Sequence, residues 1–180
     1  MNKAPETYNG KALVRSWLYT VGGEAVGTVA RYEDADGKEV VPFQPNGKPG
    51  APDVPRPLFG LDSIQPGKPV LVVEGEKCAA ALHSLGLAAV TSQGGSKAAD
   101  KTDWRPIQAA NVVYLLPDND DPGTLYMEVV ASLVDCDNLQ LVTLPNLPGK
   151  GDVVDFLQGV VANWNGLDPI PEEQRDNALD

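Results

Sequence analysis

From residue 69 onward the chain repeats one pattern: a short run of apolar residues, then a stretch with helical spacing. The runs are PVLVVEG, LAAVTSQGG, NVVYLLPD and LQLVTLP, and the stretches between and after them include EKCAAALHSLG, GTLYMEVVASLVD and DVVDFLQGVVANW. Apolar runs without polar alternation read as strands covered on both faces, and strands alternating with helices supply that cover. The pattern predicts an α/β fold: a mostly parallel, Rossmann-like sheet of three or four strands with right-handed crossovers and helices on both faces.

Ahead of this region, residues 14–41 read as β structure. Two apolar or aromatic runs flank Gly22 and Gly23, and ADGKEVVPF offers a second turn at Asp36 and Gly37, so a small antiparallel sheet is predicted. The following PNGKPGAPDVPRPLFGLDSIQPGKP is too rich in proline and glycine for regular structure. It reads as a connector with a docking segment at 58–61. The expected organisation is a β-rich subdomain and connector over 1–67, an α/β domain over 68–165, and a flexible acidic tail or linker over 166–180.

Open α/β sheets bind ligands beyond the carboxyl ends of their strands, and here those ends are acidic. Glu74 follows PVLVV directly, before Gly75; taken alone it reads equally well as a carboxylate favoured at a helix start. Asp118 and Asp120 follow NVVYLLP one residue apart, so in extended chain both project to one side and can hold one or two hard cations. Asp121 reads as the helix cap, with Pro122 at the first helical position. In LPGKGDVVDFL, Asp152 reads as a cap and Asp155 as the better outer metal ligand, the two sharing one face of a helix that starts there. TSQGGSKAAD lacks the GxxxxGK[ST] spacing, but Ser92, Gly94, Gly95 and Ser96 could donate to an anion. Lys77 and Lys150 join them as candidate phosphate or nucleotide contacts.

With His83 as the only histidine, and Cys78 and Cys136 far apart without a CxxC spacing, a metal centre must be built from carboxylates. That donor set points to magnesium or manganese and away from zinc. The net charge of −11 argues against strong electrostatic binding of nucleic acid by this chain alone. The excess is uneven: residues 1–68 carry eight basic and eight acidic side chains, 69–151 five and ten, and 152–180 one and seven. No apolar run approaches a membrane span and the start has no apolar signal-peptide centre, so a cytoplasmic protein with no membrane partner is expected.

VVEG, followed about forty residues later by a strand ending in DNDDPG, resembles the Toprim domain of bacterial and phage primases, type IA and II topoisomerases and some nucleases. The resemblance spans roughly residues 69–158. EGEKCAAAL, GGSKAA, LLPDNDDPG and KGDVVDFL look most like phage and plasmid DNA primases, and WLYTVGGEAVGTVARYEDADGK with PRPLFGLD resembles the segment that precedes Toprim in their replication proteins. The resemblance implies that Glu74 is the catalytic glutamate and that Asp118 and Asp120 bind magnesium or manganese. It implies metal-dependent nucleotidyl transfer making primers, with a single-stranded DNA template and nucleotides as partners, and a helicase or other replication domains beside them. Cys78 departs from the pattern, standing where many primases carry an aspartate. With no zinc-binding module or helicase motif in the sequence, an excised catalytic core or a small protein working with partners is expected.

Two other readings stay open. The same carboxylates could position water for strand cleavage, although Tyr114 and Tyr126 read as strand and helix residues, not as a topoisomerase nucleophile. A non-catalytic module could instead bind nucleotide or a partner protein. Trp17, Tyr19, Arg31 and Tyr32 would then stack on bases, unless the aromatics close the core of the small sheet.

Overall fold

The computed structural model describes residues 4–179. Among these residues the chain forms two four-stranded sheets. The first is an antiparallel meander of β1 (Thr7–Tyr8), β2 (Lys11–Val21), β3 (Glu24–Asp34) and β4 (Gly37–Phe43). The β2–β3 turn puts both Gly22 and Gly23 at positive φ, 60° and 79°, a combination that glycine adopts without a Cβ clash. Asp62 in the connector accepts from both of their amides, at 2.8 and 3.0 Å. Trp17, Tyr19 and Tyr32 are buried, and Tyr32 donates to the Pro5 carbonyl at 3.0 Å. Arg31 pairs with Glu33 on its own strand. The aromatics therefore close the core, and the alternative in which they stack on bases is corrected: none of the three rings is open to a ligand.

The second sheet is parallel, in the order β6-β5-β7-β8. Its strands are β5 (Val70–Val73), β6 (Ala89–Val90), β7 (Val113–Leu116) and β8 (Leu139–Leu141). Helix α1 (Glu76–Ser84) links β5 to β6, and α2 (Asp121–Leu133) links β7 to β8. The β6–β7 connection has no α-helix; short 3-10 turns at Gly95–Lys97, Ala99–Lys101 and Arg105–Ala109 carry it. After β8 come α3 (Val153–Gln158) and α4 (Arg175–Leu179). The α/β fold is thus as the sequence pattern predicts. No helix among the described residues is long and apolar enough to cross a membrane.

Two apolar clusters lie against the parallel sheet. One gathers Val70, Val72, Val113 and Leu115 with Tyr126, Met127 and Val130 of α2. The other gathers Val73 and Leu116 with Cys78, Ala79 and Leu82 of α1 and Val153, Val154 and Leu157 of α3. This second cluster also takes in Trp17, Tyr19 and Val29, so the two sheets share one core. The connector docks as expected: Leu58 is fully buried, and Phe59 exchanges backbone hydrogen bonds with Thr91 at 3.0 and 3.3 Å.

The segment 166–180, expected to be flexible, is packed down over its described part. Ile170 is 1% exposed and its amide donates to Ser84 Oγ of α1 at 3.1 Å. Asp168 pairs with Arg15 of β2 at 2.8 Å and its carbonyl accepts from Trp164 Nε1 at 2.7 Å. Burying one isoleucine stabilises by about 2 kcal/mol, enough to anchor a short segment that is polar along most of its length.

Where the sheets meet, the Tyr19 hydroxyl donates to Glu76 Oε1 at 2.7 Å. Glu76 is only 8% exposed, and burial pushes its carboxyl above the ordinary range although the Tyr19 bond opposes this. Tyr19→Phe leaves that carboxyl without its partner and should cost about 1–3 kcal/mol in denaturant unfolding. Glu76→Gln keeps an acceptor for Tyr19 and should lose much less.

Candidate functional site

The β5–β7 pairing sets Val73 opposite Leu116. Because the strands are parallel, the residues that follow both of them emerge at one edge of the sheet. Glu74 and Gly75 lead into α1, with Gly75 at φ 87° and its amide donating to Thr91 Oγ1 at 3.0 Å. Pro117 and Asp118 leave β7 toward α2. The neighbouring Gly95 lies so near that an added Cβ would sit 3.2 Å from Glu74 Oε1. At Gly123 a Cβ would come within 2.7 Å of the Asp118 carbonyl and 2.9 Å of its Cβ. Glycine at these two positions lets the loop and the helix close in on the acidic residues.

The helix cap differs from expectation. Asp120, not Asp121, caps α2: its Oδ1 accepts from the Gly123 amide at 2.8 Å, while Asp121 is exposed. An extended backbone at Asp120 leaves its side chain free to fold back over the first helical turn. Asp120 therefore serves its own helix in the described conformation, and its amide donates to the Asp118 carbonyl at 2.8 Å, so the chain between them turns and does not run as a straight strand.

Asn119, between them, ties this loop to the one before α3. Its amide donates to Gly151 O at 2.8 Å, its carbonyl accepts from the Lys150 amide at 2.9 Å, and its side chain reaches the carbonyls of Leu147 and Pro148 at 3.1 and 2.9 Å. That zipper brings the Asp152 loop beside Asp118. Asp152 caps α3 through bonds from Val154 and Asp155 at 2.7 and 3.1 Å, and Asp155 returns a bond from the Asp152 amide at 2.9 Å, forming a capping box. Lys77 of α1 reaches Asp152 Oδ2 at 2.6 Å. Burial, the largest single influence, would lower the Lys77 ammonium; the Asp152 bond and the charges of Asp152 and Asp155 together outweigh it and raise the group.

Asp118 registers this crowding most strongly. Its carboxyl is pushed up to about 7, first by burial and then by the negative charges of Glu74, Asp152 and Asp120, against which Lys77 acts only partly. By contrast, Asp155 and Lys150 are exposed at the rim. Ser92 is fully buried, its hydroxyl bonded to the Gly95 carbonyl at 3.1 Å and to Tyr126 at 2.9 Å, so it shapes the loop and does not offer itself to a phosphate. Gly94 and Gly95 stay accessible, in left-handed backbone at φ 98° and 56°. Cys78 is buried and its thiol is held well above its usual value by that burial, so it supplies no negative charge where an aspartate would.

As the side chains stand, no three His, Cys, Asp or Glu residues among the described ones are grouped closely enough to hold a metal ion. The donor set nevertheless fits one. Glu74 and Asp118 offer only oxygen, and a hard dication between them would offset the negative charges that, after burial, raise the Asp118 carboxyl. Rotation of Asp120 away from its cap would add a further oxygen.

No family model matches the chain, and no curated protein matches it. Solved structures do. The chain is similar to the primase fragment of the bacteriophage T7 primase-helicase protein, with 23% identity over 77% of this chain and 59% of that one, at a TM-score of 0.50. It is similar to the E. coli primase catalytic core, with 20% identity over 94% of this chain and 51% of that one, at 0.57. A DnaG primase catalytic domain bound to single-stranded DNA matches with 16% identity over 83% of this chain and 54% of that one, at 0.51. The chain thus spans between half and three-fifths of the length of these three. Its fold is the Toprim-like α/β fold shared with these structures, a parallel sheet with an antiparallel subdomain ahead of it.

A carboxyl that binds its proton more tightly in the folded chain stabilises the fold only while protonated. The contribution of Asp118 is whole below about pH 4 and is lost as the pH rises through about 7. Asp118→Asn should therefore match the unaltered chain at pH 4 and exceed it at pH 8 by roughly 1–2 kcal/mol after solvent screening. Urea unfolding at the two pH values checks this.

Proposed function

We propose that this chain is the catalytic core of a DNA primase of the phage or plasmid type, joining nucleotides on a single-stranded DNA template with magnesium or manganese bound. The observation that carries the reading is the convergence of Glu74 and Asp118 beyond adjacent parallel strands, where burial first, and then the charges of Glu74, Asp152 and Asp120, push the Asp118 carboxyl up to about 7. The primase fold supports it, as does the single-stranded DNA found with one of the similar domains.

In this reading Asp118 and Asp120 hold the metal, and Glu74 holds a second ion or takes a proton from the attacking hydroxyl. When bound, the metal supplies positive charge that offsets charge developing on the transferred phosphate. Lys77 keeps Asp152 in place, and Asp152 and Asp155 stand as outer acidic partners. In this reading Gly94, Gly95 and Lys150 meet nucleotide phosphates; the nearness of Gly95 to Glu74 supports it. A helicase or other replication domains complete the assembly.

The test compares labelled ribonucleotide incorporation on single-stranded DNA with nicking of supercoiled plasmid, each with magnesium and with chelator. Metal-dependent primer synthesis is expected. Nicking without synthesis would replace the reading by a nuclease, and neither activity would leave a binding module. Asp118→Asn and Asp120→Asn should each lose about 10³-fold or more in synthesis, the equivalent of several kcal/mol in the transition state. Asparagine caps helices as well as aspartate, so Asp120→Asn separates the metal role from the helix cap. Magnesium at about a hundredfold over its dissociation constant should stabilise the unaltered chain by about 2.7 kcal/mol and Asp118→Asn by much less, as read in thermal melts.

A further inference from the structure

Lys77 lies in the first turn of α1 with its side chain only 27% exposed, and it faces an Asp152 side chain that is 15% exposed. The position is unfavourable for a cation on two counts. The amino end of a helix already carries partial positive charge, and burial strips water from an ammonium. The 2.6 Å pairing with Asp152 Oδ2 offsets that cost. The other oxygen of Asp152, Oδ1, is committed to the cap of α3, with the amides of Val154 and Asp155 at 2.7 and 3.1 Å.

Both partners are carried on a packed frame. Cys78, Ala79 and Leu82 of α1 share an apolar cluster with Val153, Val154 and Leu157 of α3, and the bonds of Asn119 set the Asp152 loop beside Asp118. Lys77 and Asp152 both act on the Asp118 carboxyl, Asp152 raising it and Lys77 lowering it. The ammonium thus sits among the same carboxylates that would take a hard dication. Two cations there repel each other and draw on the same negative charge, so each weakens the hold of the other. The dication brings twice the charge, and the ammonium sits on a flexible four-carbon stem that can swing to solvent.

We propose that Lys77 is the counter-ion of the empty centre: its ammonium balances Asp152 until a dication enters beside Glu74 and Asp118, then swings out toward solvent, so that lysine and metal compete. On the metal reading above, on which this role rests, each cation displaces the other. The carboxylates then bind metal less tightly than they would without Lys77, and the metal-free fold is spared part of their repulsion.

Thermal melts of the full chain, unaltered and as Lys77→Met, in chelator and then over a magnesium chloride series, provide the test. In chelator Lys77→Met should melt lower, because Asp152 loses its partner. The gap should close as magnesium rises, and the magnesium dissociation constant fitted to the melts should fall about tenfold, equivalent to about 1.4 kcal/mol of removed competition. Lys101→Met deletes the same charge from an exposed position and should leave that constant unchanged. A gap of the same size at every magnesium concentration would make Lys77 a structural lysine only and overturn the proposal. So would weaker magnesium binding by Lys77→Met, or an equal gain in Lys101→Met. If Lys77→Met is unfolded in chelator, magnesium should refold it, as read by circular dichroism, and failure to refold would overturn the proposal too. Magnesium binding by the unaltered chain without a gain in Lys77→Met overturns this competition alone. No binding by either chain overturns the metal reading with it, and the coupling without primer synthesis overturns only the transfer reading.

Discussion

The site depends on the pairing of β5 with β7, two four-residue strands lying parallel with Val73 opposite Leu116. Parallel pairing places both carboxyl ends on one edge, so Glu74 and Asp118 leave the sheet as neighbours; in an antiparallel pair they would leave at opposite edges. Parallel neighbours need long crossovers, and the chain supplies one through α1, β6 and the 3-10 turns. That crossover also sets the Gly94–Gly95 loop against Glu74. Burial of Val70, Val72, Val113 and Leu115 holds the register, since a one-residue slip would turn apolar side chains out of both cores.

Such an edge gathers like charges, and the surrounding structure is arranged to tolerate them. Asn119 joins the two acidic loops through backbone and side-chain bonds, fixing them without adding charge. Lys77 neutralises Asp152, and backbone amides engage Asp120 and Asp152. Asp118 has no comparable relief and is held close to half protonation near neutral pH. In the proposed reading, a bound hard dication would offset the negative charges that, after burial, raise the Asp118 carboxyl.

The antiparallel sheet is more than an appendage because its core is continuous with that of the parallel sheet. Tyr19 enters the shared cluster, stacks at an angle on Phe59 with ring centroids 5.4 Å apart, and donates to Glu76 at the head of α1. Asp62 pins the β2–β3 turn from the connector. With these ties the cleft between the sheets has fixed walls.

Much of this was legible along the chain, because strand and helix periodicity and turn chemistry are local. PVLVVEG and NVVYLLPD announce buried strands, Gly22–Gly23 announces a hairpin, and acids directly after the strands mark Glu74 and Asp118 as candidates. Other roles depend on partners far away in sequence. Glu76 reads as an ordinary helix-start acid until Tyr19, 57 positions earlier, is found to bury it. Ser92 reads as an anion contact until Tyr126 takes its hydroxyl, the capping of α2 by Asp120 shows only once the Gly123 amide is found on it, and the polar tail reads as loose until Ile170 meets α1. Asn119 carries no local signal at all. The sequence by itself determined the strands, the turns and the acids at the strand ends, since each follows from a few adjacent residues. Only the tertiary structure decided which polar groups are already satisfied and which remain open, because a buried hydrogen bond is set by proximity in space between residues that the chain order does not pair.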